Sequence, residues 1–180
     1  MLPLLIVFSY LMGSIPTGYI LVKKKLNKDV RDYGSGNSGT TNAMRTLGKK
    51  DGFITFFGDA LKAVFATAIC DMLKAIIPVL LTRILIWTHI LNTNESLSLS
   101  LVAIAAILGH NYTIFLKFKG GKGVATSAAA FMIVVPIPFI ITAIIFFGLK
   151  LFTKIVSIRS LAAGVTLFLS TLLLGYDKYY

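Results

Sequence analysis

The stretch that decides the fold is residues 123–149, GVATSAAAFMIVVPIPFIITAIIFFGL, which contains no charged side chain. A helix needs about 20 apolar residues to cross the hydrocarbon core of a bilayer, so this stretch predicts a membrane-embedded segment. Pro136 and Pro138 lie at its centre, and proline disrupts a helix because it lacks the backbone N–H and clashes with the preceding turn. We therefore expect residues 123–153 to form a hairpin of two short arms, tilted or partly re-entrant.

Three further uncharged stretches surround this hairpin, at residues 1–22, 96–116 and 160–176. Hydrophobic residues make up 56% of the 180-residue chain, and the mean hydropathy is +0.83, above what a soluble domain shows. The sequence therefore predicts an all-α, polytopic integral membrane helical bundle. The lone cysteine, Cys70, excludes an internal disulfide and is expected to be a small buried side chain.

The basic residues set the expected orientation. The net charge is +11, and 14 of the 18 Lys and Arg residues fall in three clusters beside the apolar stretches, at residues 23–50, 117–122 and 150–159. The positive-inside rule explains this distribution better than nucleic-acid binding does. We predict cytoplasmic clusters, about six transmembrane helices, and both chain termini outside. Residues 59–95 fit either one long tilted helix or a helix followed by an interfacial piece.

Two glycine-rich polar loops interrupt the apolar chain on its predicted cytoplasmic side. Residues 34–45 read GSGNSGTTNAMR, and residues 118–126 read FKGGKGVAT. Glycine lets consecutive backbone N–H groups converge on an anion, and flanking Arg and Lys side chains add positive charge. The second loop differs from a nucleotide P-loop because Gly123, rather than Ser or Thr, follows Lys122. A phosphate of a small metabolite is the better candidate ligand, and a plain turn between two helices is the alternative.

Charged residues also lie within the apolar segments. Asp59 and Lys62 share a helix face. They form either an ion pair that anchors the first loop or an orienting partner for Arg45 or a lysine. Asp71 and Lys74 repeat the spacing without an adjoining motif, and we interpret them as structural.

Three further side chains, one histidine and two serines, are candidates for the functional site. His110 is a candidate base or a candidate hydrogen-bond donor to phosphate, and the alternative is a satisfied polar group. Ser157 and Ser160 share a helix face, as a pair of oxygen ligands for a polar headgroup would. No spacing of Cys, His, Asp and Glu suggests a metal site.

Two long signatures connect these features to one family. Residues 29–52, DVRDYGSGNSGTTNAMRTLGKKDG, resemble the first signature of the bacterial acyl-phosphate:glycerol-3-phosphate acyltransferases, the PlsY family. Residues 109–126, GHNYTIFLKFKGGKGVAT, resemble the second signature. GSIPTGYI at residues 13–20 and SIRS at residues 157–160 are similar to further elements of that family.

The resemblance implies a multi-pass enzyme of the bacterial inner membrane, with its active site facing the cytoplasm. It would move a fatty acyl group from acyl phosphate to glycerol 3-phosphate, giving 1-acyl-glycerol 3-phosphate (lysophosphatidic acid) and phosphate, in the first step of phospholipid synthesis. The family uses no metal and no cofactor, and it depends on another enzyme for acyl phosphate. Because acyl phosphate is already activated, no covalent enzyme nucleophile is required.

The resemblance also implies roles for individual residues. Ser35, Arg45 and Lys122 would be catalytic, and the two cations would offset negative charge in the transition state. The substrate-binding residues would be Gly34, Gly36, Asn37, Gly39, Asn42, His110, Gly120, Gly121, Gly123 and Ser157. The first loop would cradle a phosphate, the second would let the backbone approach glycerol 3-phosphate, and Ser157 would help to position that substrate.

The sequence departs from the family pattern at several positions. Thr40 and Thr113 replace the usual alanine and proline, and Ala63 stands where a glycine is common. The family usually has a seventh helix and a third signature with a histidine and an asparagine, whereas this sequence ends after its sixth predicted crossing. We expect a single acyltransferase domain over residues 1–180, incomplete at its C-terminus. The alternatives are an inactive member that binds lipid or phosphate and, less favoured because the anion motifs share one predicted face, an organophosphate transporter.

Overall fold

The computed structural model describes residues 1–26, 29–32, 36, 42 and 55–175, and the regular elements in this part of the chain are all helical. The α-helices are α1 (Leu2–Ser14), α2 (Thr17–Leu26), α3 (Thr55–Trp87), α4 (Glu95–Asn111), α5 (Val124–Val134), α6 (Pro136–Gly148) and α7 (Val156–Leu173). Short 3-10 helices lie at Val30–Asp32, Ile114–Leu116 and Leu149–Leu151.

Apolar length identifies the candidate membrane spans. Within the described residues, three helical segments are long and apolar enough to cross a bilayer: Leu2–Lys24, Glu95–Leu116 and Val156–Leu173. The helices α5 and α6 are shorter and meet at Val135, directly before Pro136. The predicted break at the prolines is therefore confirmed, while the number and direction of the crossings stay predictions.

The long helix α3 decides between the two alternatives for residues 59–95. It is continuous from Thr55 to Trp87, so no separate interfacial piece begins within it. Its 33 residues extend about 50 Å at about 1.5 Å per residue, which exceeds the ~30 Å hydrocarbon core and requires tilt or protrusion. Pro78 lies inside the helix, and its carbonyl accepts a 2.8 Å hydrogen bond from the Thr82 hydroxyl.

Two helices differ in extent from the uncharged stretches of the sequence. The helical segment Leu2–Lys24 is interrupted at Ile15, which is extended at φ −60° and ψ 113°, because Pro16 disfavours helical backbone at the preceding residue. The last helix begins at Val156, four residues before the uncharged stretch 160–176. Because no glycine or proline interrupts residues 156–160, the helix extends back through them. Ser157 and Ser160 consequently lie in its first turns.

The helices α1 and α4 cross closely at the centre of the bundle. Gly13 and Gly109 lie so near the backbone of the opposing helix that a Cβ at either position would overlap it. Small residues allow this kind of approach between membrane helices. The Ser9 hydroxyl adds a 2.7 Å hydrogen bond to the Val102 carbonyl. The helix α4 packs against α1, α3 and α5, and therefore lies among several helices. The helix α6 packs mainly against α7.

Candidate active site

The second glycine-rich loop lies directly against the C-terminal end of α4. The Gly120 N–H donates to the Asn111 carbonyl and the Gly121 N–H donates to the His110 carbonyl, both at 3.1 Å. A Cβ at Gly120 would overlap the His110 carbonyl oxygen, and one at Gly121 would overlap Nε2 of the His110 ring. These glycines are therefore needed for the loop to approach α4. Their contact with glycerol 3-phosphate stays a prediction.

Gly123 ends the loop and caps α5. Its φ is +67°, in the left-handed region that favours glycine, and a Cβ there would lie 2.5 Å from Oδ1 of Asn111. Because glycine has no side chain, the first N–H groups of α5 have no side-chain cap from this position. The partially positive N-terminus of α5 thus adjoins the loop, as the predicted anion site requires.

Lys122 and Ser157 meet although 35 residues separate them in the chain. The Lys122 ammonium donates to the Ser157 hydroxyl at 2.7 Å, and both groups are accessible to solvent. The early start of α7 brings this hydroxyl to the loop. A cation and a hydroxyl at a helix N-terminus suit a phosphate oxygen, which accepts charge-assisted hydrogen bonds.

The neighbouring residues on α7 make other contacts. The Ser160 hydroxyl donates to the Val156 carbonyl of its own helix at 2.9 Å, so this hydroxyl is engaged within α7. The Arg159 guanidinium is buried, 5.0 Å from the centre of the Phe146 ring on α6.

His110 is buried beneath the loop and has polar neighbours. Its Nδ1 lies 3.2 Å from the Thr126 hydroxyl and 3.6 Å from the Asp71 carboxylate. Asp71 in turn pairs with Lys74 at 2.6 Å. The interpretation of Asp71 and Lys74 as structural, made from the sequence, stays a prediction, but the fold places their ion pair beside His110. The available signal was their position in an apolar helix, where ionisable side chains are costly and usually mark a site.

Most of the first glycine-rich loop lies outside the described residues. The predicted site residues in that position are Gly34, Ser35, Asn37, Gly39 and Arg45. The side chains of Asp59 and Lys62 are likewise outside the description. Gly36 is described and has a φ of +70°, a conformation that suits glycine. Asn42 is described as buried.

An ion pair precedes that loop. The Arg31 guanidinium lies 2.6 Å from the Asp29 carboxylate and 5.4 Å from the centre of the Tyr19 ring on α2. The hydrogen bond from Arg31 holds the pKa of Asp29 below its usual value, so the carboxylate is ionised at neutral pH. Arg31 thus connects this ion pair to the first turn of α2.

Comparison with known proteins identifies the family. A family model described as glycerol-3-phosphate acyltransferase matches residues 3–70 and 63–179, which include both glycine-rich loops and Ser157. The chain belongs to the glycerol-3-phosphate acyltransferase family. The family predicted from the two signatures is thus confirmed.

Curated acyltransferases of this family resemble the chain over most of its length. The glycerol-3-phosphate acyltransferase of Clostridium acetobutylicum is 46% identical over 162 residues, covering 90% of this chain and 76% of that protein. The protein of the same description from Staphylococcus haemolyticus is 41% identical over 179 residues, covering 97% and 81%. The Bacillus subtilis protein is 39% identical over 165 residues, covering 92% and 75%.

Solved structures resemble the fold as well. The crystal structure of PlsY (YgiH), an integral membrane glycerol 3-phosphate acyltransferase, in its glycerol 3-phosphate form matches with a TM-score of 0.77 and 33% identity, covering 97% of this chain and 78% of that one. Its lysophosphatidic acid form matches with a TM-score of 0.73 and 32% identity, again covering 97% of this chain and 78% of that one. The all-α integral membrane fold is therefore confirmed, and this acyltransferase is a multi-pass membrane protein.

Proposed function

We propose that this chain transfers a fatty acyl group from acyl phosphate to glycerol 3-phosphate, giving 1-acyl-glycerol 3-phosphate and inorganic phosphate. The observation that supports this proposal is the 2.7 Å contact between Lys122 and Ser157 beside the glycine-rich loop, in a member of a glycerol-3-phosphate acyltransferase family. Both substrates carry phosphate, and a cation, a hydroxyl and a helix N-terminus converge at this place.

In the reaction, the hydroxyl oxygen of glycerol 3-phosphate attacks the carbonyl carbon of acyl phosphate. The bond between that carbon and the bridging phosphate oxygen breaks, and phosphate leaves with the electron pair. The hydroxyl proton goes to the departing phosphate, which serves as the base. Negative charge grows on the carbonyl and phosphate oxygens during the attack, so positive groups held in place lower the barrier.

Lys122 has this electrostatic role, together with Arg45 of the first loop. The catalytic Ser35 of that loop contributes a hydroxyl that donates a hydrogen bond. Ser157 positions glycerol 3-phosphate, and His110 lines its pocket. The other substrate-binding residues are Gly34, Gly36, Asn37, Gly39, Asn42, Gly120, Gly121 and Gly123. Together they form one membrane-embedded acyltransferase domain.

The proposed setting is the cytoplasmic membrane, with the active site facing the cytoplasm. Support comes from the basic clusters at residues 23–50 and 117–122, which follow the positive-inside rule. Glycerol 3-phosphate arrives from the cytoplasm, and the acyl chain enters sideways from the lipid. An enzyme that produces acyl phosphate supplies the donor.

An acyl-transfer assay on the purified chain in lipid nanodiscs tests this proposal. With radiolabelled glycerol 3-phosphate we expect labelled lysophosphatidic acid from palmitoyl phosphate, none from palmitoyl-CoA, and none from Lys122→Ala. A folded, inserted chain that makes no labelled lipid would contradict the enzyme proposal and favour an inactive phosphate-binding member. Uptake of label into vesicles without a new acyl ester would favour a transporter.

A further inference from the structure

The helix α3 carries the pattern D-x-L-K-A twice, at residues 59–63 and 71–75. The second copy faces the core of the bundle, where Asp71 and Lys74 contact α2 and α4.

The second copy forms a buried polar network with α2. The Lys74 ammonium lies 2.6 Å from the Asp71 carboxylate, and the two side chains are 5% and 4% exposed. The Thr17 hydroxyl donates to that carboxylate at 2.9 Å and accepts from Lys74 at 3.1 Å. Apolar side chains of similar volume often replace a buried ion pair without loss of stability. Stability alone therefore does not explain a charged pair among membrane helices.

The network reaches the glycine-rich loop through His110. The Asp71 carboxylate lies 3.6 Å from Nδ1 of the His110 ring, and Nε2 of the same ring lies against Gly121. The Gly121 N–H also donates to the His110 carbonyl. Because Lys122 is the next residue, a displaced imidazole would shift the loop and the ammonium group that it carries.

We propose that Asp71, Lys74 and Thr17 are positioning residues for acyl transfer. They hold the His110 imidazole in place, the imidazole supports the loop at residues 119–123, and the loop keeps Lys122 against Ser157. The kinetic part of this inference rests on the proposed function, whereas the placement of the loop does not.

Hydrogen exchange tests the placement of the loop without any substrate. The variant Asp71→Asn/Lys74→Met removes both charges together and changes the side-chain volumes little. We expect the amides of Gly120 and Gly121 to exchange at least about tenfold faster in this variant, because local opening sets the exchange rate. The amides of α1 should keep their wild-type rates. A general increase in all helices would instead indicate a purely structural role and overturn the proposal.

Glu95→Gln is the matched control for this variant. It breaks the 3.1 Å ion pair between Arg83 and Glu95, which joins the same two helices, α3 and α4. Glu95 lies about 22 Å along α4 from His110. Exchange at Gly120 and Gly121 should therefore stay at the wild-type rate, and an increase there would overturn the proposal.

Kinetics test the consequence for catalysis. The Asp71→Asn/Lys74→Met variant should lower kcat/KM at least about tenfold, because small misplacements of catalytic groups are costly, with a Tm within about 3 °C of wild type. In this variant Lys122 would already be displaced from Ser157. Adding Ser157→Ala should therefore lower kcat/KM by less than about threefold in the variant background, and by clearly more in the wild type. An equal fall in kcat/KM on adding Ser157→Ala in both backgrounds would overturn the proposal.

Two outcomes need a separate measurement. If the double variant does not fold, Thr17→Val is judged by the same exchange and kinetic criteria. If the wild-type chain shows no acyl transfer, the proposed function fails. The exchange rates at Gly120 and Gly121 then test the positioning role alone. Wild-type exchange rates at these amides in the Asp71→Asn/Lys74→Met variant would overturn it.

Discussion

Lys122 is the residue on which acyl transfer should depend most. Its ammonium lies 2.7 Å from the Ser157 hydroxyl, next to the N-terminus of α5. A lysine ammonium is a compact, strongly hydrated charge, whereas an arginine guanidinium is planar and needs a different arrangement of acceptors. The size of the cation therefore matters here as well as its sign.

Replacing Lys122 by methionine keeps the length of the side chain and removes its charge. We expect the rate with saturating acyl phosphate to fall by about 100-fold or more, as when a donor to the transition state is removed. Lys122→Arg keeps the charge and should retain more activity than Lys122→Met. Initial rates of lysophosphatidic acid formation measure both variants. Activity of Lys122→Met within threefold of wild type would exclude the electrostatic role.

Gly120 tests the packing of the loop. A Cβ at this position would overlap backbone atoms of His110 and Asn111, which cannot rotate away as the end of a side chain could. Gly120→Ala should therefore displace the loop and lower kcat/KM by about tenfold or more. Gly164→Ala on α7 is the matched control, because its Cβ would meet no atom within 4 Å. Equal activities of the two variants would contradict the assigned loop packing.

At the scale of the helices, the contact between α1 and α4 organises the bundle. Gly13 lies against the Ala106 backbone and Gly109 against the Tyr10 backbone. The hydroxyls of Ser9 and Thr113 bond carbonyls of the opposing segments. In a membrane, where apolar surface gains little from leaving lipid, such close packing and hydrogen bonding hold helices together.

A methyl group at this crossing should separate the two helices. We expect Gly13→Ala to destabilise the protein by about 1–3 kcal/mol, the usual cost of overpacking, and to lower the Tm measured in detergent. Gly148→Ala at the end of α6 has open space around its Cβ and should leave the Tm within about 2 °C of wild type. A Gly13→Ala variant as stable as wild type would show that α1 and α4 are not packed this closely.

Several helices could be predicted from the sequence because local chemistry determines them. The apolar run at residues 96–116 and the prolines at 136 and 138 predicted α4 and the break between α5 and α6. Pro16 carried a similar local signal that the length of the first apolar run concealed. The contact of Asp71 with His110 and the reason for Gly120 could not be predicted, because both depend on which helices pack together. No local pattern determines those neighbours.

At the scale of the whole molecule, orientation connects the fold to the supply of its substrates. The loop at residues 119–123 and the α3–α4 connection lie at opposite ends of α4. If the basic clusters face the cytoplasm, glycerol 3-phosphate reaches Lys122 directly from its compartment. The apolar and largely exposed helix α7 then faces the lipid that contains the acyl donor.

Labelling of single cysteines in a Cys70→Ser background measures this orientation. Lys119 and Asn92 are both exposed, and they lie toward opposite ends of α4. We expect a membrane-impermeant maleimide to react with Asn92→Cys in intact cells and with Lys119→Cys only after the membrane is opened. The reverse pattern would place the active site outside and contradict the proposed setting.

The most direct measurement of the central claim is the ratio of inorganic phosphate released to lysophosphatidic acid formed by the purified chain supplied with palmitoyl phosphate and glycerol 3-phosphate. Acyl transfer from acyl phosphate predicts one phosphate per lysophosphatidic acid, with both products lost in Lys122→Met. Phosphate release without the lipid would indicate simple hydrolysis. Formation of the lipid from palmitoyl-CoA at a similar rate would contradict the proposed donor.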